Sequence, residues 1–192
     1  MKNSSLKPWE TKAVAALAAA VMVLISIFGL GTLGLHNLRQ SAVKTYTAAD
    51  KYGNSMQADF TARVSAAANL VSLGKTVLGA DNELVQAANG AVDDATKAKT
   101  IATVCKVNSS LSASVDMLYQ QMSLTLRQGS ENADSEKAAT AQTQWGEFLS
   151  RNDLMLKGDY PAKADTYNNA RSGFPAVMLC AMFGLEELPA LA

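Results

Sequence analysis

The stretch from Ala13 to Leu35 holds no charged residue, and no other feature constrains this chain as strongly. Val14, Leu17, Val21, Met22, Val23, Leu24, Ile25, Ile27, Phe28, Leu30 and Leu33 dominate it. About 20 apolar residues in a helix cross a hydrocarbon core of about 30 Å. Lipid offers no partner to a backbone N–H or C=O, so a spanning segment must bond its own backbone, as a helix does. Residues 13–35 are therefore read as a transmembrane helix in contact with the lipid bilayer. A cleaved signal peptide has a shorter apolar region of roughly 7–15 residues and a small-x-small site after it. This chain has neither, and no cysteine near the end of the run to accept a lipid, so the segment reads as a retained signal anchor.

Flanking charge sets the expected orientation. Lys2, Lys7 and Lys12 precede the span with Glu10 the only acid, whereas Arg39 and Lys44 follow at a distance. Basic residues near a span end favour the cytoplasmic side. The expectation is a single-pass protein of the cytoplasmic (inner) membrane, with residues 1–12 as a short cytoplasmic tail and everything after the span outside. Small residues at Ala15, Ala16, Ala19, Ala20, Gly31 and Gly34 offer a face that another helix, or a second copy of the chain, can approach closely.

Beyond Leu35 there is no proline until Pro161. Leu38, Ala42, Tyr46, Ala49, Met56, Phe60, Val64, Ala67, Leu70, Val71, Val77 and Leu78 recur at steps of mostly three and four, the helical period. The pattern predicts one helix running unbroken from the membrane to about Leu78, roughly 100 Å long at 1.5 Å per residue. Gly79 is expected to end it and Asp81 to cap the next. That second helix carries Leu84, Val85, Ala88, Val92, Ala95, Ile101, Val104, Cys105, Leu111, Val115, Leu118, Met122 and Leu126, with near-heptad spacing from Ile101 to Met122. Gln128-Gly-Ser-Glu-Asn132 breaks it. A third helix covers about Ala133 to Leu156, with Ala138, Ala141, Trp145, Phe148 and Leu149 on one face. Lys157-Gly-Asp-Tyr-Pro161 breaks that, and a short fourth helix through Tyr167 and Arg171 leads to Phe174-Pro175. Short connections make successive helices antiparallel neighbours. The fold class expected is all-α: a transmembrane helix continuing into an extended antiparallel bundle over residues 36–173, closed by a motif and tail at 174–192.

The search for chemistry yields no catalytic, cofactor-binding or metal site. The single histidine, His36, sits where the span meets water, away from any Cys, Asp or Glu at ligand spacing. No phosphate-binding glycine loop, GxSxG or HExxH occurs. Asp93-Asp94 and Glu186-Glu187 are adjacent, and adjacent helical residues do not face a common point. Seventeen basic residues balance seventeen acidic ones, which gives nucleic acid nothing to bind. Arg63, Lys75, Lys97, Lys99 and Lys106 are spread out and read as a solvated face. Asn108 falls on the seam of the second helix, and the reading favoured is that it sits at the seam edge and points to water. Cys105 and Cys180 belong to no paired spacing; they are two separate buried thiols, or one disulfide if the compartment is oxidising.

The stretch from Tyr167 to Gly184 is the most distinctive in the chain. Its Tyr167-Asn168 pair, Phe174-Pro175, Ala181 and Phe183-Gly184 resemble the closing motif of the LemA family of bacterial membrane proteins. Members of that family have an N-terminal span and a long helix with an Arg six residues before Asn-Leu-Val; Arg63 precedes Asn69-Leu70-Val71 at that distance, and Lys75 matches a Lys that commonly follows. The chain departs from the family at Ser65-Ala-Ala-Ala68 and at Lys157-Gly-Asp-Tyr-Pro161, and would be a divergent member. What the resemblance implies is architecture rather than mechanism; taken with the anchor, the Ala-rich seams and the lack of a catalytic set, it leads to the expectation of a non-enzymatic, membrane-anchored scaffold or adaptor of the cell envelope that contacts another membrane or envelope protein through its helix faces. Pro175 is expected to redirect the chain so that Phe174 and Phe183 cover the open end of the bundle. Alternatively, Ala176 to Leu185 forms an apolar patch that meets the membrane or a partner. The N-terminal layout, basic start, span, then Gly-Leu-Gly-Thr-Leu-Gly-Leu-His-Asn-Leu-Arg39, also looks like the start of a chemoreceptor, which gives a second expectation: an extracytoplasmic four-helix ligand sensor that signals through a partner.

Overall fold

The computed structural model describes residues 8–128 and 132–191, which form helices joined by short loops with no strand among them. Lys2 and Lys7, which contribute to the expected orientation, lie outside the described residues, as does most of the break expected at 128–132.

Helix α1 (Pro8–Ile25) passes through a π turn (Ser26–Leu30) into α2 (Gly31–Lys44). From Ala13 to Leu30 the apolar side chains of this segment are exposed nearly all round, Leu17 at 68% and Leu30 at 70% accessible, and burial begins only in α2, at Leu35 and Ala42. A helix that is apolar on every face needs either a protein core or lipid around it. No core surrounds this one, and by length and composition it is able to cross a membrane.

The expected unbroken first helix is wrong. Helix α2 ends at Lys44, and α3 (Met56–Leu78) starts afresh after a loop. Three local devices make that loop. Asp50 accepts the Tyr52 backbone N–H through its side chain at 2.8 Å. Gly53 sits at φ +85°, which L side chains avoid. Ser55 caps α3 by accepting the Ala58 N–H at 3.1 Å. The apolar period stays nearly in phase across the gap, which is why periodicity alone bridged it.

Helix α3 ends at Gly79, as expected, with φ +91°. Asn82, rather than Asp81, caps α4 (Glu83–Lys97) by accepting the Leu84 N–H. The expected second helix is two, because α5 (Ile101–Gln128) begins after Ala98-Lys99-Thr100. There Thr100 and Thr103 exchange side-chain and backbone bonds: the Thr103 N–H donates to Thr100 Oγ1, and the Thr100 N–H to Thr103 Oγ1. This reciprocal cap satisfies two donors that a helix start otherwise leaves free. Helices α6 (Asn132–Lys157) and α7 (Asp159–Ser172) follow close to the expected bounds, and α8 (Ala176–Phe183) is short.

Helices α3 to α6 form a bundle, with α3 packed on α4, α5 and α6, and α5 on α4 and α6. Helix α7 continues α6 after a break at Gly158, and it packs on α2 just as α6 packs on α3. The two breaks meet: a Cβ on Gly158 would lie 2.8 Å from Asp50 Oδ2 and 3.2 Å from the Leu154 carbonyl oxygen. One broken pair, α2–α3 beside α6–α7, thus connects the apolar N-terminal helix to the bundle. Buried alanines such as Ala42, Ala67, Ala88, Ala141 and Ala164 let the helices close up. Leu70, Leu111, Leu118, Met122, Phe148 and Met155 supply the bulk, each worth about 1.5–3 kcal/mol when removed from water. Of the expected face of α6, Ala141 and Phe148 are buried, Ala138 and Trp145 are half-buried, and Leu149 is exposed.

Candidate functional site

Two groups of side chains stand out, and the motif positions read from the sequence divide between them.

The first is in the bundle. Arg63 on α3 is 1% exposed, a correction to the solvated face expected for it. Asn108 on α5 is fully buried, a correction to its expected position at the water edge. Each explains the other. The Arg63 guanidinium donates from Nη1 to Asn108 Oδ1, and from Nη2 to Ser112 Oγ at 2.7 Å. Asn108 Nδ2 donates in turn to Asn152 Oδ1 on α6 at 3.2 Å. The guanidinium carbon lies 4.2 Å from the centre of the Phe148 ring. Behind Phe148 come Trp145 and Tyr119, stacked at 5.5 and 4.6 Å. A flat cation on an aromatic face is held by the ring quadrupole, and Arg suits this better than Lys.

The charge on Arg63 has no carboxylate within ion-pair distance among the described residues. Its Nε is buried and unbonded, and burial pulls its pKa down to about 10. The acid one turn away on α3, Asp59, is 2% exposed and is taken by Arg151 at 2.9 Å, which also holds Glu147. Beside Arg63 opens a cleft of about 430 Å³ lined by Ser109, Ser112, Asp116, Trp145, Phe148 and Asn152 among others. Of the remaining motif positions on α3, Leu70 and Val71 are core residues. Asn69 bonds Gln144 on α6 at 2.9 Å, and Lys75 bonds Asn89 on α4 at 3.0 Å. These tie α3 to its neighbours and do not face the cleft.

The second group lies where α7, α8 and the tail meet α2. Tyr167 and Asn168 on α7 hold the tail that returns from α8. The Tyr167 hydroxyl donates to the Glu186 carbonyl oxygen at 3.0 Å. Asn168 bonds Leu188 both ways, from Nδ2 to its carbonyl oxygen at 2.8 Å and to its N–H at 3.0 Å. Tyr160 donates to the Pro189 carbonyl oxygen at 2.8 Å. Leu188 is thereby pressed into the core. The tail, not Phe174 and Phe183, closes this end of the bundle. Phe174 is 82% and Phe183 52% exposed, a correction to the end-cap reading. The chain turns at Gly173 and Pro175, and α8 lies along α2 with Leu179 and Cys180 inward against Leu35. Both phenylalanines are left on the outer side. Ala181 is exposed as well, and Gly184 ends α8 at φ +62° with its N–H on the Cys180 carbonyl oxygen.

Both cysteines are free and lie in separate clusters, Cys105 under the tail and Cys180 on the inner face of α8. Burial pushes the Cys105 thiol up to about 11. Sequence reasoning missed the network around Arg63 because each member is polar and isolated in sequence. The available signal was Asn108 on an apolar seam, which asks for a partner on a facing helix.

The class defined by fold and site is an all-helical bundle on an apolar N-terminal helix long enough to cross a membrane. No protein-family model, curated protein or solved structure matches the chain.

Proposed function

We propose that this chain is a non-enzymatic, membrane-anchored adaptor of the bacterial cell envelope, LemA-like, that works by helix-face contact with another membrane or envelope protein. In this reading residues 13–35 cross the inner membrane once, with the N-terminus cytoplasmic and the bundle outside. The observation that carries it is the direct passage of the span into the packed bundle. Helix α2 follows the apolar segment without a break and packs on α7, which continues α6 of the bundle after Gly158. A bundle mounted this way is held at a fixed height and orientation over the bilayer, which suits presentation of a surface to a neighbour in the same membrane. The test is cross-linking in intact cells followed by isolation from gently solubilised membranes, alongside protease treatment of cells with a permeabilised outer membrane. A specific membrane or envelope partner, and cleavage after His36 without lysis, are expected. A lone chain or homo-oligomer in several detergents would sink the adaptor role, and protection until lysis would sink the topology.

A second reading has its own support. Arg63, buried without an acidic partner beside a cleft of about 430 Å³, fits a sensor that takes a small carboxylate ligand and signals through a partner. Ligand that binds only the folded state raises its melting temperature. Small mono- and dicarboxylates screened against the intact chain in detergent should then stabilise it. Ser112→Ala should weaken the effect; no shift with any carboxylate removes the reading.

A further inference from the structure

We infer that α8 is a second membrane contact: a short apolar helix lying in the lipid boundary beside the emerging end of the span. The inference rests on residues 13–35 crossing the bilayer, and it adds an occupant for a surface that the adaptor reading leaves bare.

Position comes first. Leu179 of α8 packs on Gly31, with its Cδ1 3.0 Å from where a Cβ on that glycine would stand, and on Leu35. Both positions belong to the uncharged run that ends at Leu35. At 1.5 Å per residue the run from Ala13 to Leu35 is roughly 33 Å long, about the thickness of the hydrocarbon core. Whatever surrounds Gly31 and Leu35 therefore surrounds α8, and around the last turn of a span that is lipid at the headgroup boundary.

Composition agrees. No charged residue occurs from Gly173 to Leu185. Phe174, Val177, Met178, Met182 and Phe183 all present more than half of their surface outward. The charges resume immediately on either side, where Arg171 and Glu187 pair at 3.3 Å. An interfacial helix usually carries a polar face toward water and an apolar face toward lipid. In α8 the inner face is docked on α2, so only the apolar face is left to meet a solvent. At eight residues it is too short to cross. Helix α8 lies against the Gly31 and Leu35 face of the span, whose other faces at Leu30 and Leu33 are themselves apolar and exposed, so a protein partner would have to seat beside surface that lipid already covers. Lipid covers both without a boundary.

The test uses the intact chain in vesicles of phosphatidylethanolamine and phosphatidylglycerol, with nitroxide labels at Met182→Cys or Val177→Cys. Leu24→Cys in the span and Leu149→Cys on α6 serve as lipid and water references. All four sites are exposed, Leu149 on the wall of the open polar cleft beside Arg63, and the unsubstituted chain, whose own thiols are buried, is the labelling blank. The ratio of accessibility to oxygen over a water-soluble nickel chelate reports depth. The α8 labels should exceed the Leu149→Cys label by roughly five-fold and remain below the Leu24→Cys label, as expected for a boundary position. Equality with Leu149→Cys while Leu24→Cys stays lipid-shielded would place α8 in water and overturn the inference, leaving the span intact. Labels shielded from both reagents would mean that protein covers α8, which also overturns it. A water-exposed Leu24→Cys would remove the span itself and the inference with it.

Discussion

Arg63 shows how a single buried charge can be held by neutral partners. Its guanidinium bonds Asn108 and Ser112 and sits over the Phe148 ring, so geometry does what a carboxylate would otherwise do. Lysine at this position would keep the charge but, as a point donor on a flexible stem, could not make both bonds and the stack. Methionine would drop the charge and still cover Phe148. Because a buried ion often costs more than an apolar replacement, Arg63→Lys should be the worse change, by about 2 kcal/mol in urea unfolding, and Arg63→Met the milder. The reverse order would mean that an anion, bound or nearby, is compensating the charge. Cys105 offers a second residue-scale test. Its folded pKa of about 11 lies above the ordinary 9.0, so the thiol stays neutral in the fold while the unfolded chain ionises. The stability this gives is fully present below pH 9 and is lost as pH rises toward 11. The intact chain should lose about 2 kcal/mol across that window that Cys105→Ala does not lose, read as the difference between their denaturation midpoints.

At the scale of elements, the tail clamp and the two helix breaks carry the argument. Asn168→Ala removes both bonds to Leu188, and should cost about 1–3 kcal/mol and render residues after Gly184 sensitive to limited proteolysis. An unchanged digestion pattern would mean that Leu188 alone holds the tail. Gly158→Ala forces a methyl against Asp50 and the Leu154 carbonyl oxygen; about 1–3 kcal/mol of destabilisation is expected in thermal melts, because a backbone atom cannot step aside as a side chain can. Helix content and the order of the long helices were legible, since long amphipathic segments announce themselves by period. The breaks at Thr45–Ser55 and Ala98–Thr100 were not, because the period resumes almost in phase after each. Local chemistry held the missing information: Gly53-Asn54-Ser55 reads as a turn with an N-cap, and Thr100 with Thr103 as a reciprocal cap. The Tyr167-Asn168 pair was visible as a motif, but its partners, the backbone of Glu186 and Leu188, lie 19 and 20 positions away, and only folding reveals them.

For the whole molecule, the telling quantity is where exposed apolar surface accumulates. Isolated exposed apolar residues are ordinary on any protein; contiguous ones need an explanation. Leu24 in α1 and Leu149 on α6 are matched in this respect, 53% and 47% accessible. They differ in their surroundings: Leu24 lies within the uncharged apolar run of α1, whereas Leu149 lines the open cleft beside Arg63 together with Ser109, Ser112, Asp116 and Asn152. If accessibility alone mattered, arginine would be tolerated equally at both. If the bilayer is the solvent of α1, Leu24→Arg places a cation near the middle of the hydrocarbon at a cost of about 3 kcal/mol on insertion scales, while Leu149→Arg remains within about 0.5 kcal/mol of the parent. Membrane fractionation with alkaline extraction separates the two cases. Leu24→Arg should shift a large part of the chain out of the integral fraction, and Leu149→Arg should leave it there. Retention of both variants would mean that contacts other than α1 hold the protein to the membrane, and α8 is the element positioned to supply them.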